Sequence, residues 1–273
     1  IDYGFNKYLE REFGRSCEEC SGFHYYILTN PGTDLTFQAE DGETYTIPAD
    51  DLNYPESIRK YAAIDVTFEK AWDGVWLLNA AYTWSHSWGN NEGYIRSDNG
   101  QDDAGLTTLF DQPGLLDGAN GNLPNDRRHA IKVFGSYQVT DDLNFGLNAT
   151  WQSGRPKNAF GYHPTDEFAQ AYGSESFFAD GELVPRGSLG TTSAVLNIDV
   201  TVSYNIPIGE DYDLTLRADV FNVLNSDTAT EVSEIYDQET SAGAGTGLVS
   251  PEFGLPSNWQ TPRFVRLSAS LKF

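Results

Sequence analysis

Methionine is absent from this sequence, cysteine occurs twice, histidine four times, and basic residues number 17 against 40 acidic ones. A translated chain starts with Met, so one that begins at Ile1 reads as a processed chain or a segment of a longer one. No stretch approaches the ~20 apolar residues of a membrane-spanning helix, and no signal peptide opens the chain. The formal net charge of -23 excludes a nucleic-acid partner, because a phosphate backbone needs a basic surface. Cys17 and Cys20 form a CxxC pair. A zinc site would want two more Cys or His ligands and only His24 lies near, so a small disulfide loop is the better reading.

Gly is abundant at 26 residues and aromatics make up 14%, a balance that favours strands and turns. A mean hydropathy of -0.45 ordinarily points to a soluble protein. That inference fails if alternate residues of each strand face lipid, because the intervening polar residues dilute the average. Such alternation is the dominant pattern from residue 58 onward. Ala62, Ile64, Val66 and Phe68 alternate with polar or small residues, and Asp73-Gly74 gives a tight turn into Trp76, Leu78, Ala80, Tyr82 and Trp84. Ile131 to Val139 and Leu143 to Trp151 repeat the pattern across Thr140-Asp141-Asp142. Leu196 to Ile206 and Leu214 to Val220 repeat it across residues 209–213, and Val265 to Phe273 supply the seventh run.

The connections alternate between short turns and long stretches at 89–126, 155–193 and 226–260. Residues 1–57 read as a loop region preceding the first complete strand. Loop region 1–57 carries 12 acidic against 3 basic residues, 88–126 carries 7 against 1, 155–193 carries 5 against 3, and 226–260 carries 6 against none. These segments account for the whole net charge, so the strand-forming remainder is neutral. A soluble sandwich has shorter and less polarised connections. The sequence therefore predicts an all-β, antiparallel, up-and-down transmembrane β-barrel segment with strands of 12 to 15 residues, longer than the ~9 to 11 that cross a bilayer. Trp72, Trp76, Tyr137 and Tyr204 fall near the short turns, and Trp84 and Trp151 toward the long loops, as two interfacial girdles would require. Phe134, Phe221 and Phe264 fall on the other face. Single-chain bacterial barrels have even strand numbers, so seven strands imply the C-terminal part of a larger barrel.

Asp219-Val220-Phe221-Asn222-Val223-Leu224-Asn225, a long loop, and a last strand ending in Phe273 resemble the end of a TonB-dependent outer-membrane receptor, most closely the Oar-like branch. Asn122 to His129 and Trp151 to Pro156 are similar to loop and strand edges of that family. The resemblance implies the last seven strands of a 22-stranded barrel around a plug, with a bacterial outer-membrane location, extracellular long loops and a periplasmic C-terminus. It also implies outer-membrane lipid, the remaining strands and plug, the TonB complex and the barrel-assembly machinery as partners. Leu267, Ala269, Leu271 and Phe273 look like the signal read by that machinery. The implied activity is uptake of an unidentified ligand and not catalysis.

Other readings stay open beside it. One is a non-transporting barrel for surface binding. A rim hydrolase built on Ser85, His86, Ser87 and His129 has no identifiable orienting residue. Asp98, Asp102, Asp103 and Asp117 are candidate ligand-binding residues in acidic loops and resemble calcium loops in composition, but neither stretch completes the EF-hand spacing. Residues 243–247 read as a flexible glycine-rich tip and not a phosphate cradle. In residues 1–57, a short helix over Asn6 to Arg15 and a strand over Phe23 to Thr29 are expected.

Overall fold

The computed structural model describes residues 31–38, 42, 44–52, 54–100, 107–209, 211–238 and 248–273. The expected elements before residue 30, together with Cys17, Cys20, Asp102, Asp103 and the tip at 243–247, lie outside the described residues.

Seven strands follow one another in chain order through one antiparallel sheet: β1 (Arg59–Lys70), β2 (Trp76–Gly89), β3 (His129–Gln138), β4 (Leu143–Gln152), β5 (Val195–Ile208), β6 (Tyr212–Phe221) and β7 (Phe264–Lys272), and the short strand Gly121–Asn122 adds to the end of β2 as an eighth. Each pairs with its sequence neighbour, so the expected up-and-down topology is observed. The strands are 9 to 14 residues long, not 12 to 15. Alternation overstates their length because the chain leaves the ladder for the long loops before the pattern fades. At Asn222 and Asn225, for example, φ is positive and the chain turns away from the sheet.

Register carries the argument about faces. Leu147 opposes Gly135 and Val200, Val200 opposes Val220, and Val220 opposes Val265. Trp76 opposes Tyr137, and Tyr137 opposes Phe145. With a side-chain period of two, one such row fixes all the others, and every apolar run falls on one continuous face. The other face is polar and cross-linked along its rows. The Thr83 hydroxyl donates to Asp65 at 2.5 Å, Thr201 donates to Asp219 at 2.7 Å, and Arg217 and Arg266 pair with Asp219 at 2.7 and 3.0 Å. Phe221 and Phe264 lie on this face, stacked 4.4 Å apart, as expected.

The apolar face is open. Ile64, Leu267 and Val265 are 62%, 77% and 58% exposed, and among the described residues β1 and β7 are unpaired edges. Seven strands spaced ~4.8 Å apart give a face about 29 Å wide. Over a height of ~25 Å this is roughly 700 Å², beyond the ~300–600 Å² patch of an ordinary soluble monomer. Among the described residues the buried apolar core lies instead in the connections, where Leu109, Leu116, Ala119, Phe160 and Phe177 pack together. A smaller cluster of Leu35, Ile47 and Leu52 sits under the hairpin Leu35–Gln38/Thr44–Ile47.

Gly154 lets the base of the 153–194 connection close. The Arg155 amide donates to the Thr192 hydroxyl at 3.1 Å and Thr192 N donates back to the Arg155 carbonyl at 2.8 Å, and a Cβ on Gly154 would collide with the Thr192 carbonyl. Gly154→Ala is expected to speed protease nicking between residues 153 and 194 while the sheet keeps its far-ultraviolet circular dichroism; unchanged digestion counts against this packing.

Candidate functional site

The three long connections meet over one end of the sheet and are joined by buried charge. Arg96 is fully buried and pairs with Asp98 at 3.2 Å and with Glu175 at 2.9 Å. Asp98, itself buried, also faces Arg186 at 3.4 Å and accepts from the Asn158 amide at 3.3 Å. The Asn158 amide also donates to Glu234 at 3.0 Å, and Glu234 pairs with Arg155 at 2.7 Å. Arg96 lies over the rings of Phe160 and Phe177, and Arg186 over Phe177. Residues from 90–128, 153–194 and 222–263 are therefore riveted into one cap by a network of arginines and carboxylates on an aromatic floor. Three planar guanidiniums suit this role, since each presents a fork of donors and a face that stacks on a ring.

Burial pushes the Glu234 carboxyl up to about 7, against the opposing pull of Arg155 and Asn158. Burial also raises Glu92 and Glu175, the latter opposed chiefly by Arg96. Burial lowers Arg186, opposed by Asp98. The dominant cause throughout is desolvation, which the ion pairs only partly offset.

The sequence candidates fall in different places. Asp98 is a hub of the ion-pair network rather than an open ligand. Asp117 is largely exposed and accepts from His163 Nε2 at 3.1 Å. His163 Nδ1 accepts from the backbone N–H groups of Thr165 and Asp166 at 3.2 and 2.8 Å, so the ring proton sits on Nε2 and faces Asp117. The two residues share a cavity of about 610 Å³ with Tyr54, Glu56 and Asp166. Among the described residues no group of three or more His, Cys, Asp or Glu is placed to hold a metal ion.

Ser85 and His86 are neighbours in β2 and project to opposite faces, so no Ser–His pair forms there. The Ser85 hydroxyl donates to the Arg127 carbonyl at 3.1 Å, and His86 bonds Asn122 at 3.0 Å and stacks on Trp88. The Ser87 amide donates to Asp126, and His129 bonds the Tyr82 hydroxyl at 2.8 Å. Trp76, Tyr137 and Tyr204 stand on the apolar face near the short turns, with Trp72 in the turn after β1, and Trp84 and Trp151 stand on the same face toward the cap. Leu267, Ala269 and Leu271 are on that face of β7, and Phe273 is 92% exposed. The network residues Arg96, Asn158, Glu175, Arg186 and Glu234 escaped sequence reasoning. One signal was available, because Arg96 is the lone basic residue among seven acidic ones in residues 88–126.

A curated relative, the TonB-dependent transporter Oar of Myxococcus xanthus, is 28% identical over an alignment of 281 residues that covers 91% of this chain. The chain is thus similar in sequence to a TonB-dependent transporter. It spans about a quarter of that relative, 24% of its length. No family profile matches the chain. Among solved structures it is similar to the ferric-catecholate import receptor Fiu of E. coli K12 in its closed form, with a TM-score of 0.43 and 15% identity over 87% of this chain and 23% of that one. The ferripyoverdine receptor of Pseudomonas aeruginosa gives 0.43 and 13% over 78% of this chain and 19% of that one. The ferric citrate transporter FecA gives 0.35 and 13% over 82% and 32%. These structural likenesses are loose.

Two outcomes test the cap. Asp98→Ala strands the Arg96 and Arg186 guanidiniums, and breaking a buried pair this way costs about 3–5 kcal/mol. Thermal or denaturant melting of the cap is expected to shift by that order, read by protease protection of the connections, with the sheet retained. For Glu234 the raised pKa means that the folded cap binds the proton more tightly than the unfolded chain. Stability should therefore rise as pH falls from about 8 through 7 and toward the ordinary carboxylate range, and Glu234→Gln should flatten this slope. A cap that becomes steadily less protected over that descent refutes the assignment.

Proposed function

We infer that this chain forms part of the barrel wall of a TonB-dependent outer-membrane receptor that takes up a ligand through a plugged barrel. The observation that carries the reading is the seven-stranded meander with one unbroken apolar face, all short turns at one end and all long connections at the other. Such a face needs lipid as its solvent, and a sheet with two open edges needs further strands to close it. The Oar relationship supplies the receptor class, and the extra length of that relative leaves room for the remaining strands, a plug and a TonB-contacting segment. In this reading the cap is extracellular, the short turns and C-terminal side are periplasmic, and the acidic cap walls a vestibule.

The aromatic rows fit that placement. Trp76 and Trp84 are eight residues apart on β2, about 27 Å along the strand at ~3.4 Å per residue and roughly 20 Å along the membrane normal at the usual barrel tilt, within reach of the ~25 Å apolar band of outer-membrane barrels. Trp72, Tyr137 and Tyr204 then mark the periplasmic interface and Trp151 the outer one. The apolar row Leu267, Ala269 and Leu271, followed by Phe273, suits both lipid contact and recognition by the barrel-assembly machinery. Calcium bound by Asp117 and the acidic loops is a further possibility for this vestibule. The ion pairs that join the three connections favour one second reading, a surface-binding barrel through which nothing passes. In vivo cross-linking of the full-length protein to TonB separates the two: recovery of TonB supports uptake, and its absence from a correctly assembled protein supports surface binding.

Placement in lipid is tested by paired substitutions. Val202→Arg on the apolar face is expected to cost about 2–4 kcal/mol in denaturant unfolding from lipid vesicles, and Ser203→Arg on the opposite face much less. For orientation, with Cys17 and Cys20 replaced by Ser, a cysteine at Tyr94, 80% exposed in the cap, should react with an impermeant maleimide on intact cells. A cysteine at Asp141 should react only after the outer membrane is opened. Reversed labelling inverts the topology.

A further inference from the structure

At the cap end of β5, β6 and β7, on the polar face, a cavity of about 310 Å³ is lined by Asp199, Phe221, Asn222, Gln260 and Phe264, among others. Its hydrogen-bonding groups are unbalanced in one direction. The Asn197 amide donates to Asp199 Oδ1 at 2.8 Å. The Asn222 side-chain amide donates to the Ser226 and Thr261 carbonyls, and the Gln260 amide to the Leu196 carbonyl. Pro262, in the same lining, has no N–H to offer. The side-chain amide donors of Asn197, Asn222 and Gln260 are thus engaged by acceptors of the chain. Gln260 Oε1 is buried without a partner. Asp199 receives three N–H groups, from Asn197, from the Asn222 backbone at 2.9 Å and from Asn148 at 3.2 Å, but among the described residues no Lys or Arg pairs with it.

The neighbouring row shows what completes such a site. Asp219 is paired with Arg266 at 3.0 Å, and the Arg266 guanidinium also lies 5.3 Å from the centre of the Phe221 ring. Carboxylate, cation and aromatic face are all present there. One row toward the cap, a carboxylate and the same aromatic stack recur, with Phe264 48% exposed, and no Lys or Arg of the described residues pairs with that carboxylate.

We propose that this cavity binds a guanidinium or ammonium group, held by Asp199 against the Phe221–Phe264 stack. A charged donor meets the Asp199 carboxylate and gains from the ring face, which a neutral hydroxyl cannot do to the same degree. The group reaches the site either on a small diffusible amine or on a basic side chain of a peptide. Binding here requires no transport, so the outcome bears on this site separately from the uptake reading.

The full-length protein in detergent is titrated calorimetrically with agmatine, with acetyl-Gly-Arg-Gly-amide and with its citrulline counterpart, which keeps the shape and loses the charge. Saturable binding of the arginine peptide, at least about tenfold tighter than the citrulline peptide and weakened by salt, is the expected result. Agmatine binding as tightly as the peptide assigns the site to small cations; binding of the peptide alone assigns it to basic peptides. Asp199→Asn keeps an oxygen for the Asn222 amide and should lose the preference for charge. Phe264→Leu, which disturbs no hydrogen bond, should weaken binding several-fold and serves if the first variant fails to assemble. Equal affinity for the two peptides, or unchanged affinity in both variants, overturns the proposal.

Discussion

The cross-strand register of the seven-stranded sheet is the constraint on which the rest depends. A slip of one residue anywhere would move Leu147, Val200 or Val220 to the polar face and bring Asn148, Asp199 or Asp219 to the apolar one. The rows of the polar face oppose that slip, because Thr201, Asp219 and Arg266 satisfy one another only when their strands are aligned as they are. Short turns hold the register at one end, where Asp73 accepts from the Val75 and Trp76 amides. At the other end the strands are free to run into long connections, whose fold is decided by other forces.

Those forces are unusual for a surface. A sheet that turns its apolar side outward cannot bury it within this chain, so the connections build their own core around Phe160 and Phe177. That core is small, and buried charge supplies the connectivity. Buried ion pairs are weak sources of net stability, since desolvation consumes most of their attraction, but they are strongly directional. Arg96 satisfied by Asp98 and Glu175 specifies one mutual position of two connections, and Glu234 specifies the third through Arg155 and Asn158. Specificity of arrangement, more than free energy, is what this network contributes, and the raised carboxyl groups are the cost of obtaining it.

The sheet was legible in the sequence to an unusual degree, and the cap hardly at all. Strand number, order and the identity of the apolar face follow from a period of two and from Asp73-Gly74 and Thr140-Asp141-Asp142, which are local signals. Strand ends were overestimated, because alternation continues through residues that the ladder no longer pairs. Asp98 looks like an open acidic ligand in the sequence because its partners Arg186 and Asn158 lie more than fifty residues away, and no local pattern announces a pairing of that kind. His86 and Ser85 were grouped by adjacency, although adjacency in a strand separates them to opposite faces. The polar-face aromatics Phe221 and Phe264 looked like exceptions to the pattern and are a cross-strand stack.

The charge balance connects the cap to the wall. Basic residues are outnumbered by acidic ones, and several arginines are set against buried carboxylates: Arg96 and Arg186 at Asp98 within the cap, Arg217 and Arg266 at Asp219. Every guanidinium committed internally leaves the far more numerous carboxylates to set the outward field. Acidic groups such as Asp117, Asp166 and Glu56 around the cap cavity then draw cations toward the end of the sheet where Asp199 stands without one. A field of this sign raises the local concentration of positive ligands but cannot discriminate among them. Discrimination requires fixed acceptors and a ring face at short range, and the register that aligns Asp199 beside Phe221 and Phe264 is what provides both.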